Sequence, residues 1–215
     1  MKKNLIFALS LLVLLAAGCD WRGVRGNGHI RTDSRPVTAF TRVDAGGFYE
    51  IEWRPGVPSC QITTDDNLLP YITTEMDGDV LKLDLKETIA PTHGIKVALS
   101  SPSLDGASLS GALHFDASSL GGATFALETS GASKVTLAGK VHRLLASLTG
   151  ASKLHATDLA AEDVELSVTG AGRADVSATN LLRAVITGAG KVNYSGHPKS
   201  VEKKITGAGK ISPND

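Results

Sequence analysis

Five segments decide the fold: Ser130-Gly131-Ala132-Ser133-Lys134, Thr149-Gly150-Ala151-Ser152-Lys153, Thr169-Gly170-Ala171-Gly172-Arg173, Thr187-Gly188-Ala189-Gly190-Lys191 and Thr206-Gly207-Ala208-Gly209-Lys210. A sixth, Ser110-Gly111-Ala112-Leu113-His114, departs only in its last two residues. The glycines at 111, 131, 150, 170, 188 and 207 are 20, 19, 20, 18 and 19 residues apart. A nearly fixed short period marks a repeat architecture.

Two residues before the glycine stand Leu109, Thr129, Leu148, Val168, Ile186 and Ile205. Four residues after it stand Phe115, Val135, Leu154, Ala174, Val192 and Ile211. Six before it, in the later repeats, stand Phe125, Leu144, Val164, Leu182 and Val201. Even offsets are thus mainly apolar and odd offsets mainly polar, which is the period of strands with one buried face. The constant Gly-Ala suits a tight corner. Such a period is too short for a propeller blade and lacks a leucine-rich consensus. It fits one coil of a β-helix, whose apolar face is buried only when coils stack. The expectation is an all-β chain, a parallel β-helix (β-solenoid) with coils of about 19 residues over 104–215.

Residues 36–103 read as β-rich lead-in strands. Leu81, Leu83 and Leu85 alternate with Lys82, Asp84 and Lys86. Asp77-Gly78, between Tyr71–Met76 and Val80–Lys86, is a hairpin signal. Asp66 to Pro70 reads as one helical turn, and Ala45-Gly46-Gly47 as a relative of the repeated corner. At the far end Pro213 discourages strand addition.

The chain opens Met1-Lys2-Lys3-Asn4, followed by an apolar run from Leu5 to Ala17 and then Gly18-Cys19. A charged start and a short apolar stretch describe a secretory signal, too short to span a bilayer comfortably. Small residues before a cysteine resemble the lipobox of bacterial lipoproteins. The expectation is a signal peptide over 1–18 and a lipid anchor (palmitate-type acyl chains) on Cys19. The other reading is an ordinary signal whose cleavage site contains a cysteine. Asp20 resembles an inner-membrane retention signal. Residues 19–35, rich in glycine and arginine, read as a flexible linker before a domain over 36–215. Its arginines, Arg22, Arg25, Arg31 and Arg35, are read as solvated, with lipid headgroups as the other partner. The expected location is the cell envelope, facing the periplasm or the exterior.

Without Lys2 and Lys3 the chain holds 20 basic and 22 acidic residues. That balance gives no reason to expect nucleic acid as a partner. If Cys19 is acylated, Cys60 has no partner within the chain, and it reads as a buried small apolar residue.

The [ST]-G-A-[GS]-[KR] segments, with Arg35-Pro36-Val37-Thr38-Ala39-Phe40 and Asp65-Asp66-Asn67-Leu68-Leu69, resemble the head GIN domain of putative autotransporter adhesins, a family of unknown function. The resemblance covers roughly residues 28–215. It implies a right-handed parallel β-helix on a lipoprotein or secreted chain, and no catalytic residues. Leu113 and His114 depart from the pattern in the first coil.

Three residues past each glycine stand His114, Lys134, Lys153, Arg173, Lys191 and Lys210. Stacked coils would align the last five as a ladder of cations about 4.8 Å apart. One reading is a stripe that binds a polyanion, such as an acidic polysaccharide. The other is a solvated ladder, compensated by Glu128, Asp175 and other acids. The column Ser110, Ser130, Thr149, Thr169, Thr187 and Thr206 reads as structural, with hydroxyls bonded to each other or to the turn backbone. The six histidines show no metal spacing, and neither a nucleophile elbow nor a phosphate loop is present. No metal, cofactor or catalytic residue is expected. The reading is a non-enzymatic envelope lipoprotein, structural or adhesive, that binds an envelope polymer or protein. Its competitors are a carbohydrate-active β-helix enzyme acting on an acidic polysaccharide and an accessory of envelope stress sensing.

Overall fold

The computed structural model describes residues 23–214. The signal segment, Cys19, Asp20 and Arg22 lie outside the described residues.

Alternating apolar residues give strands, and the corner glycines bend them into coils. The N-terminal part comprises β1 (Val24–Arg25), β2 (Ile30–Arg35), β3 (Arg42–Gly47), β4 (Glu50–Pro55) and β5 (Ser59–Asp65). A 3-10 turn (Leu69–Tyr71) follows, then β6 (Ile72–Asp77), β7 (Val80–Leu85), β8 (Ile89–Ala90) and β9 (Lys96–Ser101). The stack continues through β10 (Gly106–Gly111), β11 (His114–Gly131), β12 (Lys134–Gly150), β13 (Lys153–Gly170) and β14 (Arg173–Gly188). It ends with β15 (Lys191–Ser195), β16 (Ser200–Gly207) and β17 (Lys210–Pro213).

From β10 onward every pairing is parallel, and each glycine corner sits directly over the one before. The column begins earlier than the repeat does: Gly47 lies in register with Gly111. All seven corner glycines have positive φ, from 97° to 131°, a region that L side chains avoid. The carbonyl of each of the first five accepts the N–H of the alanine in the next coil, as Ala171 donates to Gly150 at 2.9 Å. The repeated alanine itself is exposed at each corner. The second tight position is the residue after it: Ser133, Ser152, Gly172 and Gly190 are buried, and a Cβ on Gly190 would meet Val168 Cγ1 at 2.7 Å. Differences in coil length are absorbed at the second corner. There the register shifts between Ala117 and Leu120, and between Thr136 and Gly139, while both flanking segments stay aligned.

The even-offset residues form columns in a single core. Phe125, Leu144, Val164 and Leu182 stack in register and are at most 1% exposed. Each such side chain contributes about 1.5–3 kcal/mol by leaving water.

Chain order and stacking order diverge at the N-terminal end. β3 and β4 are inserted between the coil of β7–β9 and the coil that starts at β10: β3 pairs with β7 and β10, β4 with β9 and β11. Beneath lie antiparallel strands, β6 on β7 and β5 on β9. The β6–β7 hairpin turns at Gly78 with φ +62°, as the sequence predicts.

Residues 19–35 read as a flexible linker, but from Val24 on they are folded. β1 pairs with β8, and β2 pairs antiparallel with β5. Asp65 fastens this segment: its buried carboxylate accepts from Gly28 N at 2.6 Å, Thr92 N at 2.8 Å and Thr92 Oγ1 at 2.8 Å. Arg35 Nη2 donates to the Leu69 carbonyl at 2.9 Å. The tie is made by side chains distant in sequence, so local periodicity carries no trace of it.

Candidate functional site

The residue three past each glycine is the first of a strand, and its neighbours Phe115, Val135, Leu154, Ala174 and Val192 are buried. Alternation therefore turns the residue itself outward. His114, Lys134, Lys153, Arg173, Lys191 and Lys210 pair in one unbroken register. The five cations form a straight exposed row, roughly 19 Å long at about 4.8 Å per coil. Neighbouring charges at that spacing repel by on the order of 1 kcal/mol in water.

The row extends further than the cations do. His114 stands over Glu50, and Glu50 over Lys96, with Lys96 Nζ 3.7 Å from Glu50 Oε2. Glu50 lies three residues after Gly47, the same offset as the cations. Extending the glycine alignment to Gly47 would have found it. Lys96 follows no corner glycine and carries no such signal.

Compensation is local and uneven. Arg173 reaches Asp175 through Nε at 3.2 Å and Nη2 at 3.3 Å. Among the described residues, Lys134, Lys153, Lys191 and Lys210 have no acid within 4.0 Å. Glu128, expected to offset the ladder, lies on another face, in register with Ser108 and Ser147. An odd offset before the glycine and one after it fall on opposite sides of the corner.

A second outward column lies two residues further along: Glu52, Asp116, Thr136, His155, Asp175, Asn193 and Ser212. Asp175 is its centre. It accepts from Asn193 Nδ2 at 2.5 Å and lies 3.4 Å from His155 Nδ1. Burial alone would raise its pKa. The hydrogen bonds from Asn193 and Arg173 outweigh burial and hold it below the usual carboxylate value.

The hydroxyl column is arranged differently from the expectation. None of Ser110, Ser130, Thr149, Thr169, Thr187 and Thr206 shows a side-chain hydrogen bond to another described residue, and all six are exposed. The hydroxyls that bond the corner are those of Ser133, to Gly111 O at 3.4 Å, and Ser152, to Gly131 O at 3.5 Å.

Among the described residues no group of three or more His, Cys, Asp or Glu is placed to hold a metal. The apolar cleft around Leu145 is lined by Leu127, Leu166, Val185, Glu128, Glu165 and Arg183 with small residues between them, and by neither histidine nor cysteine. Cys60 is buried and free.

Solved structures similar to this chain include two with the same solenoid. An adhesin-described protein from Bacteroides fragilis shares 22% identity, covers 89% of this chain and 100% of its own, and has a TM-score of 0.71. One from Parabacteroides merdae shares 22% identity over 90% and 99%, with a TM-score of 0.56. At that identity they establish the solenoid alone. No functionally curated protein matches. Residues 39–198 match the family described as putative auto-transporter adhesin, head GIN domain. The chain belongs to this head GIN domain family.

Proposed function

We propose that the chain is a non-enzymatic, lipid-anchored module of the bacterial cell envelope, whose cation ladder binds an anionic polymer. The observation that carries this reading is the row of Lys134, Lys153, Lys191 and Lys210, aligned in one register. Four ammonium groups held in one row, none paired with an acid among the described residues, concentrate positive potential along one line. A polymer with repeated phosphates or carboxylates relieves their mutual repulsion and gains several contacts from one docking event. Membership of an adhesin-described family supports a structural or adhesive role.

No helix among the described residues is long and apolar enough to cross a membrane. The anchor is Cys19, whose acyl chains each add about 0.8 kcal/mol per buried CH₂. A Cys19→Ser variant should move from the membrane to the soluble fraction; retention in the membrane would refute the anchor.

Every strand among the described residues lies within 24–213, so the chain from Asp20 onward holds the whole described fold and serves for solution work. Its binding to acidic polysaccharides should weaken as salt rises and be weakened further in the Lys134/Lys153/Lys191→Ala triple variant. Binding that ignores salt, or is unchanged in that variant, contradicts the ladder. Depolymerisation of any glycan in the same panel would favour the enzymatic alternative.

A further inference from the structure

Lys203 occupies a place that every earlier coil gives to a small or apolar side chain. Its column runs Ala107, Leu127, Ala146, Leu166 and Ala184, each in register with the next and each buried. Ala184 then pairs with Lys203. In β16 the residues Val201, Lys203 and Ile205 share the inward parity, while Glu202 and Lys204 take the outward one. The ammonium leaves the column sideways: Nζ donates to Tyr194 Oη at 3.1 Å and lies 4.8 Å from that ring's centroid.

The core runs out at this rung. Leu182 and Ile186 are fully buried, but their successors Val201 and Ile205 are 38% and 43% exposed. Among the described residues β16 pairs with β14 alone. The rest of this last coil carries Pro198 and Pro213, which have no N–H to donate. β16 has no proline, so it is the edge able to accept another strand. At the opposite end the stack runs into antiparallel pairs instead, β6 on β7 and β5 between β9 and β2.

The edge is also complementary to itself. In antiparallel pairing of two copies of β16 about Lys203, Val201 faces Ile205, Glu202 faces Lys204 and Ser200 faces Thr206. Apolar meets apolar and acid meets base. Only the centre fails, because there Lys203 must face Lys203 between two apolar ends. Two ammonium groups in that position repel each other and lose their water. An inward-pointing charge is one of the known ways to blunt a strand edge.

We infer that Lys203 guards the C-terminal coil against pairing with a second copy of this chain. Its aliphatic stem covers the end of the core while its charge rests on Tyr194. Neutralising it opens a self-complementary surface.

Sedimentation of the chain from Asp20 onward tests this. The unmodified chain should keep a single-chain mass at every concentration. Lys203→Ala and Lys203→Leu place residues already native to this column, and both should double in mass as concentration rises. Adding Val201→Glu to Lys203→Leu should restore the single-chain mass. A two-chain mass for the unmodified protein overturns the inference, as do folded neutral variants that stay single. If one neutral variant loses its β-sheet circular dichroism, the other decides. Loss in both would make Lys203 a structural residue and overturn the guard equally.

Discussion

The carbonyl oxygen of Gly150 lies 2.7 Å from the point that a Cβ on Gly170 would occupy, and Gly170 holds φ +108°. Coil stacking therefore leaves no room for a side chain at this corner, and the backbone conformation disfavours one as well. Gly170→Ala combines a steric clash with backbone strain of about 1–3 kcal/mol. Denaturant unfolding should show a loss of at least about 2 kcal/mol. Ala171→Ser, one residue on and exposed, should change stability by less than about 0.5 kcal/mol.

Ile186 and Ile205 are successive members of one column, the first fully buried and the second 43% exposed. Ile186→Ala should cost about 2–5 kcal/mol, as a truncation in a packed core. Ile205→Ala should cost less than about 1.5 kcal/mol, since much of its side chain is already in water. Equal losses would mean that the last coil is as well covered as the one before it.

Acid should loosen the N-terminal tie. Burial alone would raise the Asp65 pKa, but the hydrogen bonds from Thr92 and Gly28 prevail and hold it below the ordinary carboxylate value. A folded pKa below the unfolded one stabilises the protein above the unfolded value, near 4. That contribution is lost as pH falls from there through the lower folded pKa. Thermal midpoints should be level near neutrality and fall below about pH 4. Asp65→Asn should lower stability at neutral pH and make the acid decline shallower.

Cys60 should be inert in the folded protein. Burial, with a smaller opposing effect from Arg35, pushes its thiol up to about 11. Reactivity belongs to the thiolate, so a thiol reagent near pH 8 should leave Cys60 unmodified until denaturant is added. Rapid labelling of the folded chain would show that the core beneath β2 opens.

The repeat, the core columns and the cation row were legible in the sequence because each depends on a local offset from one glycine. That offset fixes both the side to which a residue points and the coil above which it stacks. Insertion of β3 beneath β10 and β4 beneath β11 was not legible beyond the corner Ala45-Gly46-Gly47, since it pairs segments about 60 residues apart with no repeated spacing between them. For the same reason Lys96 escaped notice, and Val24 to Arg35 looked like linker. The burial of Asp175 depends on Asn193 in the next coil, a partner that periodicity does not single out.

The salt dependence of polymer binding tests the central claim most directly. Each ladder cation that contacts the polymer should release counterions. The slope of log affinity against log salt should therefore fall in steps of about one per contacting lysine removed. Lys153→Ala, the Lys134/Lys153 double variant and the Lys134/Lys153/Lys191 triple variant should lower it progressively. Lys140→Ala, which removes a lysine outside the row, should leave it unchanged. A slope that stays constant along the ladder series, or falls as much for Lys140→Ala, would contradict the account.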